Sequence, residues 1–128
     1  RIATGKTSPL LGASSAALLN ALKMLADIGK EVDVISRRVL EPIQNLKTEN
    51  LGNHNPRLHT DEVLIVLSIC AVTSPLAASA LDQLDKLKGC EAHSSVILAQ
   101  IDANTFKKLG VNLTCEPVYQ AKSLYHGK

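Results

Sequence analysis

The sequence predicts a single α/β domain in which a small mixed sheet packs with a buried central helix. Its length of 128 residues fits one domain. Apolar residues make up 45% of the chain but aromatic residues only 2%, so the core is expected to be aliphatic. Some apolar residues recur at helical spacing, whereas others alternate or run continuously as in strands. The predicted order is β-α-β-α-α-α-β-α-β, with a helical insertion between Gly52 and Gly89.

The first third of the chain predicts two strands that flank a helix. Residues 2–4 are expected to end the first strand. Residues 12–28 predict a helix that is apolar almost all round, and such a helix is usually buried on most sides. Gly29 suits the position just after its end. Residues 31–36 predict the second strand, with Val32 and Val34 on one face.

The helical insertion is predicted from capping residues. Pro42 is expected in the first turn of a short helix. Thr60 is the predicted N-cap of the next helix, where residues 63–72 are apolar on nearly every side. Ser74 and Pro75 predict the N-cap and first position of a further helix.

The last third predicts a β-α-β unit. The continuous apolar run 96–98 is typical of a buried strand. Asp102 is expected to cap a short helix that carries Phe106, and residues 111–115 alternate as a last strand. The tail beyond Glu116 is polar and predicts no element.

Composition excludes several classes of function. A net charge of +2 with 20% charged residues argues against disorder and against a strongly basic nucleic-acid-binding protein. The scarcity of aromatic residues argues against stacking on single-stranded nucleic acid. The apolar run 63–67 is far shorter than a membrane span, and residues 1–8 lack the apolar segment of a signal peptide. We therefore expect a cytoplasmic protein that binds neither nucleic acid nor membranes.

The cysteines fit the same compartment. Cys70, Cys90 and Cys115 are odd in number and widely spaced, which indicates free thiols in a reducing environment. Cys70 and Cys115 are expected to be buried with apolar neighbours. The pair formed by Cys90 and His93 has no second pair at zinc spacing, so no metal site is predicted.

Two segments carry candidate anion-binding residues. The stretch Gly5-Lys6-Thr7 resembles the end of a phosphate-binding loop, in which Lys6 would reach a phosphate. The loop 54–59 places Arg57 beside a predicted helix start, where the two could hold a carboxylate or phosphate. The alternative interpretation of both segments is an ordinary solvated turn.

One pair of stretches is similar to the Lon-type protease domain. These stretches are Gly12-Ala13-Ser14-Ser15-Ala16 and Val39-Leu40-Glu41-Pro42-Ile43-Gln44-Asn45-Leu46-Lys47. The resemblance implies Ser14 as nucleophile, Lys47 as its base, and a fold like the Lon protease and ribosomal S5 domain 2 class. Ala13 and Ala16 replace a proline and a glycine of that family's pattern, and Glu41 is an extra residue. The departures therefore favour a related fold over a working dyad.

Nearly the whole chain resembles the C-terminal part of the bacterial "domain of unknown function 1846" family. The resemblance rests on Thr4-Gly5-Lys6-x-Ser8, Val39-Leu40-Glu41-Pro42-Ile43-x-Asn45-Leu46-Lys47-Thr48, Asn55-Pro56-Arg57-Leu58, Ser68-Ile69-Cys70-Ala71, Leu87-Lys88-Gly89-Cys90-x-Ala92-His93-Ser94, Lys108-Leu109-Gly110 and Thr114-Cys115-x-Pro117. It implies a larger cytosolic protein, some members of whose family are labelled ATP-dependent peptidases. It also implies a glycine-rich nucleotide loop upstream, so that ATP would bind outside this chain.

The family motifs also single out site residues. Ser8, Lys47, Asn55, Arg57 and His93 lie inside those motifs and become ligand-binding candidates. If Lys47, Arg57 and His93 converge, the expected ligand is a small anion.

Three functions stay open from the sequence. Because the chain begins at Arg1 rather than methionine, we expect a fragment of a longer protein, and the family resemblance implies that it is the C-terminal part. It would serve as an accessory domain that completes a ligand pocket or an oligomer interface for the upstream part of a nucleotide-binding protein. The alternatives are a Ser–Lys peptidase and a structural association module.

Overall fold

Residues 2–116 fold as an α/β domain of five α-helices and one small parallel sheet. A computed structural model describes residues 2–116, and the polar tail expected beyond Glu116 lies outside them. The elements are α1 (Ala13–Leu25), α2 (Arg37–Asn45) continued by a π-helical turn (Leu46–Asn50), α3 (Thr60–Cys70), α4 (Pro75–Leu81) followed by a 3-10 turn (Leu84–Leu87), β1 (Glu91–Ser94), α5 (Gln100–Lys108) and β2 (Asn112–Cys115). Within the described part, no helix has both the length and the apolar character needed to cross a membrane.

The core lies between the helices and is aliphatic, as the composition predicts. Its most buried helical members are Leu18 and Leu22 of α1, Val63 and Leu67 of α3, and Ala77 and Ala80 of α4, and Leu58 of the preceding loop is equally buried. Helix α1 packs against α3 and α4, whereas α3 packs against α1, α4 and α5. No residue of α1 is exposed, as expected for a helix that is buried on most sides, although α3 has more helical neighbours than α1.

Helix α1 ends three residues before its predicted end. Its last residue is Leu25, and Asp27 rather than Gly29 adopts the left-handed conformation, with φ of 57°. The Asp27 N–H donates to the Met24 carbonyl and the Ile28 N–H to the Lys23 carbonyl. This is a Schellman motif, in which asparagine or aspartate can replace the usual glycine because short polar side chains tolerate positive φ.

The two strands predicted in the first third are absent, and the sheet is not mixed. Residues 2–4 and 31–36 contain no strand. Val34 and Ile35 are both buried although they are consecutive, whereas neighbouring residues of a strand point to opposite faces. The alternation in residues 31–36 therefore belongs to a loop that returns from α1 and places two successive side chains in the core.

The sheet consists of β1 and β2, paired in parallel with Glu91 opposite Asn112 and Ser94 opposite Cys115. The prediction of a closing β-α-β unit is confirmed, but its first strand precedes the apolar run 96–98. The Ser94 hydroxyl accepts from the Val96 N–H at 3.2 Å and lies 2.7 Å from the Val96 carbonyl. These local bonds turn the chain out of the strand before the apolar run begins.

Three predicted helix starts are wrong by a few residues, and one is confirmed. Pro42 lies inside α2, which begins at Arg37. His59 is the N-cap of α3 and Thr60 its first residue, and Ala99 rather than Asp102 is the N-cap of α5. The predicted cap at the start of α4 is present: the Ser74 hydroxyl accepts from the Ala77 N–H at 3.2 Å.

The cysteines are less buried than predicted. Cys70 is half-buried, and Cys90 and Cys115 are exposed. Cys115 is the last residue of β2.

Candidate functional site

A polar cluster connects the loop 5–12, the π-helical turn, the loop 53–59 and the start of α3. Its centre is Lys47, a lysine whose residue is only 4% exposed. The Lys47 ammonium donates to the Glu62 carboxylate at 2.8 Å and to the Arg57 carbonyl at 2.7 Å. Lys47 follows α2 in the π-helical turn, where the Leu51 N–H donates to the Leu46 carbonyl. The sequence run that suggested a lysine base therefore places its amine in a buried ion pair.

Glu62 has two roles at the start of α3. One of its carboxylate oxygens accepts from the His59 N–H at 2.8 Å as well as from Lys47. Burial by itself would raise the pKa of Glu62, but the hydrogen bonds from the His59 N–H and from Lys47 outweigh it and lower that pKa. Glu62 is thus held as a carboxylate that caps a helix and neutralises a buried lysine.

The N-terminus of α3 is occupied by carboxylates of the chain itself. Asp102 accepts from the Thr60 N–H at 3.0 Å and from the Thr60 hydroxyl at 2.8 Å, and Asp61 accepts from the Glu62 N–H at 2.8 Å. Carboxylates favour this position because the N–H groups and the helix dipole attract negative charge. The sequence predicted an anion at this helix end, and the anions found there belong to Asp61, Glu62 and Asp102.

Arg57 keeps donors that the chain does not use. Its backbone N–H donates to the side-chain oxygen of Asn55 at 3.1 Å. Its side-chain Nε donates to the Ser8 carbonyl at 2.6 Å. Its two terminal Nη groups make no hydrogen bond or ion pair with any of residues 2–116. Arg57 is half-buried, and the Ser8 carbonyl holds its guanidinium at one edge. The structure therefore brings together Ser8, Lys47, Asn55 and Arg57, four of the six predicted ligand-binding residues.

The segment before α1 packs on that helix. A Cβ atom added to Gly5 would lie 2.7 Å from the Ala17 Cα, so only glycine fits so close to the backbone of α1. Lys6 is exposed. The Ser8 hydroxyl accepts from the Leu11 N–H at 3.1 Å and closes a local turn. The stretch that resembles a phosphate loop thus lies along the side of a helix.

The predicted nucleophile and its neighbour differ in burial. Ser14 is half-buried in the first turn of α1. Ser15, which the sequence did not single out, is 1% exposed and donates to the Leu58 carbonyl at 2.8 Å. The Lys47 amine, which the resemblance makes the base for Ser14, instead donates to the Glu62 carboxylate and to the Arg57 carbonyl.

His93 does not join this cluster through its hydrogen bonds. Its ring nitrogens lie 2.6 Å from the Thr114 hydroxyl and 2.9 Å from the Glu116 carboxylate. Both partners belong to β2 or follow it directly, and the imidazole is exposed. Within residues 2–116, no group of three or more potential ligands could hold a metal ion.

Sequence reasoning missed a second buried lysine. Lys23 is 6% exposed, and its ammonium donates to the Lys30 carbonyl at 2.8 Å. Burial lowers the pKa of Lys23, although the charges of Asp33 and Glu31 oppose this effect. Lys23 lines two hollows of about 450 and 200 Å³. In the sequence, Lys23 lies in a narrow polar stripe with Asn20 and Asp27, and such a stripe resembles a solvated helix face.

The fold and the cluster define an α/β domain in which the buried Lys47 is paired with Glu62 and the terminal nitrogens of Arg57 have no partner among residues 2–116. The family described as "Domain of unknown function DUF1846, C-terminal" matches residues 1–125. The chain belongs to this family, as its motifs predicted.

Bacterial relatives show the same relationship. The chain is 58% identical over 125 residues to a UPF0371 protein of Corynebacterium efficiens and 56% identical over 125 residues to one of Corynebacterium glutamicum. It is 52% identical over 124 residues to a UPF0371 protein of Streptococcus pneumoniae. These matches cover 97% or 98% of this chain but only 25% of each relative. The chain therefore spans about a quarter of the length of the curated relatives that it matches.

Proposed function

We propose that this chain is the C-terminal accessory domain of a longer, nucleotide-binding protein and that Arg57 contacts an anionic group of its ligand. The observation that carries the proposal is the Arg57 guanidinium, whose terminal nitrogens have no partner among residues 2–116. A guanidinium fork matches the geometry of a phosphate or carboxylate and can hold either with two parallel hydrogen bonds. A nucleotide phosphate is such a group.

The rest of the cluster serves to position Arg57. The Ser8 carbonyl accepts from the side-chain Nε of Arg57. The Asn55 side chain and the Lys47 ammonium hold the backbone N–H and the backbone carbonyl of Arg57. A side chain held in this way loses little conformational entropy when an anion binds. Lys47 is neutralised by Glu62, so in this proposal it orients Arg57 and does not itself bind the ligand.

The proposal is tested with the longer protein that contains this domain. Binding of inorganic phosphate and of ATP would be measured by titration calorimetry for the unaltered protein and for Arg57→Lys and Arg57→Gln. A hydrogen bond to a charged group is worth about 1.5–3 kcal/mol. We therefore expect Arg57→Gln to weaken binding at least about tenfold. Arg57→Lys should restore only part of the affinity, because an ammonium lacks the fork.

The matched control is Arg38→Gln, which removes the same charge from an exposed position on α2. It should leave the affinity unchanged. If both variants weaken binding equally, the effect is one of net charge and the Arg57 site is abandoned.

The Ser14–Lys47 peptidase and its Lon-like fold stay predictions from a sequence resemblance. The ion pair of Lys47 with Glu62 disfavours that chemistry, and the altered glycine positions make an oxyanion hole doubtful. We expect no peptide hydrolysis by this chain. Peptide hydrolysis by the unaltered protein that disappears in Ser14→Ala would instead support the peptidase hypothesis.

A further inference from the structure

Helix α3 has two apolar faces, and only one of them is covered. Val63 and Leu67 are fully buried against the neighbouring helices. On the opposite side, Ile65 is 60% exposed and Ile69 63% exposed. Val72, just beyond the helix, is 83% exposed. Leu76, in the first turn of α4, is 47% exposed. We call these four residues the α3 outer face.

The spacing makes the α3 outer face continuous. Ile65 and Ile69 are four residues apart and lie on one side of α3, and Val72 follows three residues later in the turn after the helix. No charged residue occurs between Glu62 and Asp82. A helix that is hydrophobic all round is normally buried on both sides, whereas single exposed apolar residues are common on any surface. The line of aliphatic side chains on α3 is typical of a surface that another protein layer covers.

The small sheet also indicates that part of this domain's surface is covered by another protein layer. Its two strands are parallel, and neither outer edge pairs with another strand among residues 2–116. Parallel sheets are generally found with several strands and with both faces covered. The described domain thus has two kinds of surface, a helix face and strand edges, that in other folds are interior.

We propose that the α3 outer face docks against the N-terminal region of the longer protein to which this domain belongs. The matching relatives carry about three quarters of their length outside this domain, and the matching family is a C-terminal domain. The absence of charge over residues 63–81 suits a permanent interface, because permanent interfaces are more apolar than transient ones. Docking would make α3 a helix that is buried on both faces, which is the environment its sequence predicts.

The test compares two substitutions of matched exposure in the longer protein. Ile69→Glu places a charge in the α3 outer face, whereas Leu51→Glu places it at a residue that is 65% exposed after the π-helical turn. Both would be examined by hydrogen exchange of the segment 60–76 and by the rate of proteolysis between this domain and the upstream region. We expect Ile69→Glu to raise both rates about tenfold or more, since burial of one large aliphatic side chain is worth at least that factor. Leu51→Glu should leave both rates within about twofold of the unaltered protein.

A second measurement separates loss of docking from loss of folding. Helical circular dichroism of the same Ile69→Glu protein should stay unchanged, because the substituted side chain points away from the core of this domain. Equal rates for Ile69→Glu and Leu51→Glu would overturn the proposal. The proposal would also be overturned if the only effect of Ile69→Glu were to dissociate an oligomer, because the α3 outer face would then contact a second copy of the protein.

Docking and anion binding can fail independently. Arg57 is not part of the α3 outer face, so Arg57→Gln should leave the exchange and proteolysis rates unchanged. A docking result would therefore stand even if the Arg57 site were abandoned.

Discussion

Asp102 of α5 caps the first residue of α3. Its carboxylate accepts both the N–H and the hydroxyl of Thr60, which lies 42 positions earlier in the sequence and is fully buried. The bond joins the closing β-α-β unit to the helix that carries the polar cluster. The position of that cluster thus depends on a side chain from the far end of the domain.

We expect Asp102→Ala to destabilise the domain by about 1–3 kcal/mol, because it leaves a buried N–H and a buried hydroxyl without their acceptor. Urea unfolding followed by circular dichroism measures the change. Asp85→Ala, at an exposed position in the 3-10 turn, should stay within about 0.5 kcal/mol of the unaltered protein. Equal losses for the two variants would show that the cap contributes nothing.

The Lys47–Glu62 pair predicts a loss of stability in acid. The pKa of Glu62 is lowered in the folded state from its ordinary value of 4.5. The contribution of Glu62 is therefore fully present above about pH 4.5 and is lost as the pH falls through the lowered value. Glu62→Gln should flatten the decrease in unfolding free energy between about pH 5 and 3, whereas Glu49→Gln at an exposed position should not. Parallel pH profiles for all three proteins would contradict the assignment.

Gly5 is predicted to tolerate no side chain. Gly5→Ala forces a Cβ into the α1 backbone near Ala17 and should cost about 1–3 kcal/mol, as overpacking does. The comparison is Gly12→Ala, whose Cβ would meet nothing closer than 4.0 Å and whose φ of −68° suits any residue. Thermal unfolding of both variants should rank Gly5→Ala well below Gly12→Ala. The opposite order would mean that residues 2–7 do not pack on α1.

Leu22 tests the contribution of α1 to the core. It is fully buried, so Leu22→Ala should lower the unfolding free energy by about 2–5 kcal/mol. Leu51→Ala removes the same atoms from a residue that is 65% exposed and should cost less than about 0.5 kcal/mol. A loss below about 0.5 kcal/mol for Leu22→Ala would show that α1 does not contribute to the core.

The sequence by itself determined the features that depend on residues close to one another in the chain. The Ser74 cap and the end of α5 before Gly110 both follow from local geometry, since a hydroxyl reaches the next turn and Gly110 adopts a φ of 80°. The closing β-α-β unit and the family were also predictable. The family motifs also placed Ser8, Lys47, Asn55 and Arg57 in one group of candidates, but that group included His93, whose hydrogen bonds go to β2 and Glu116.

Only the tertiary structure decided which partner each of these groups meets. Residues 31–36 alternate like a strand but form a loop, because no strand of the described domain lies beside them to complete a ladder. Asp102 looked like the cap of its own helix, yet its carboxylate accepts from the Thr60 N–H of α3. Lys47 looked like a base, yet Glu62 lies 2.8 Å away. In each case the local pattern was compatible with two environments, and the choice came from contacts between residues far apart in the chain.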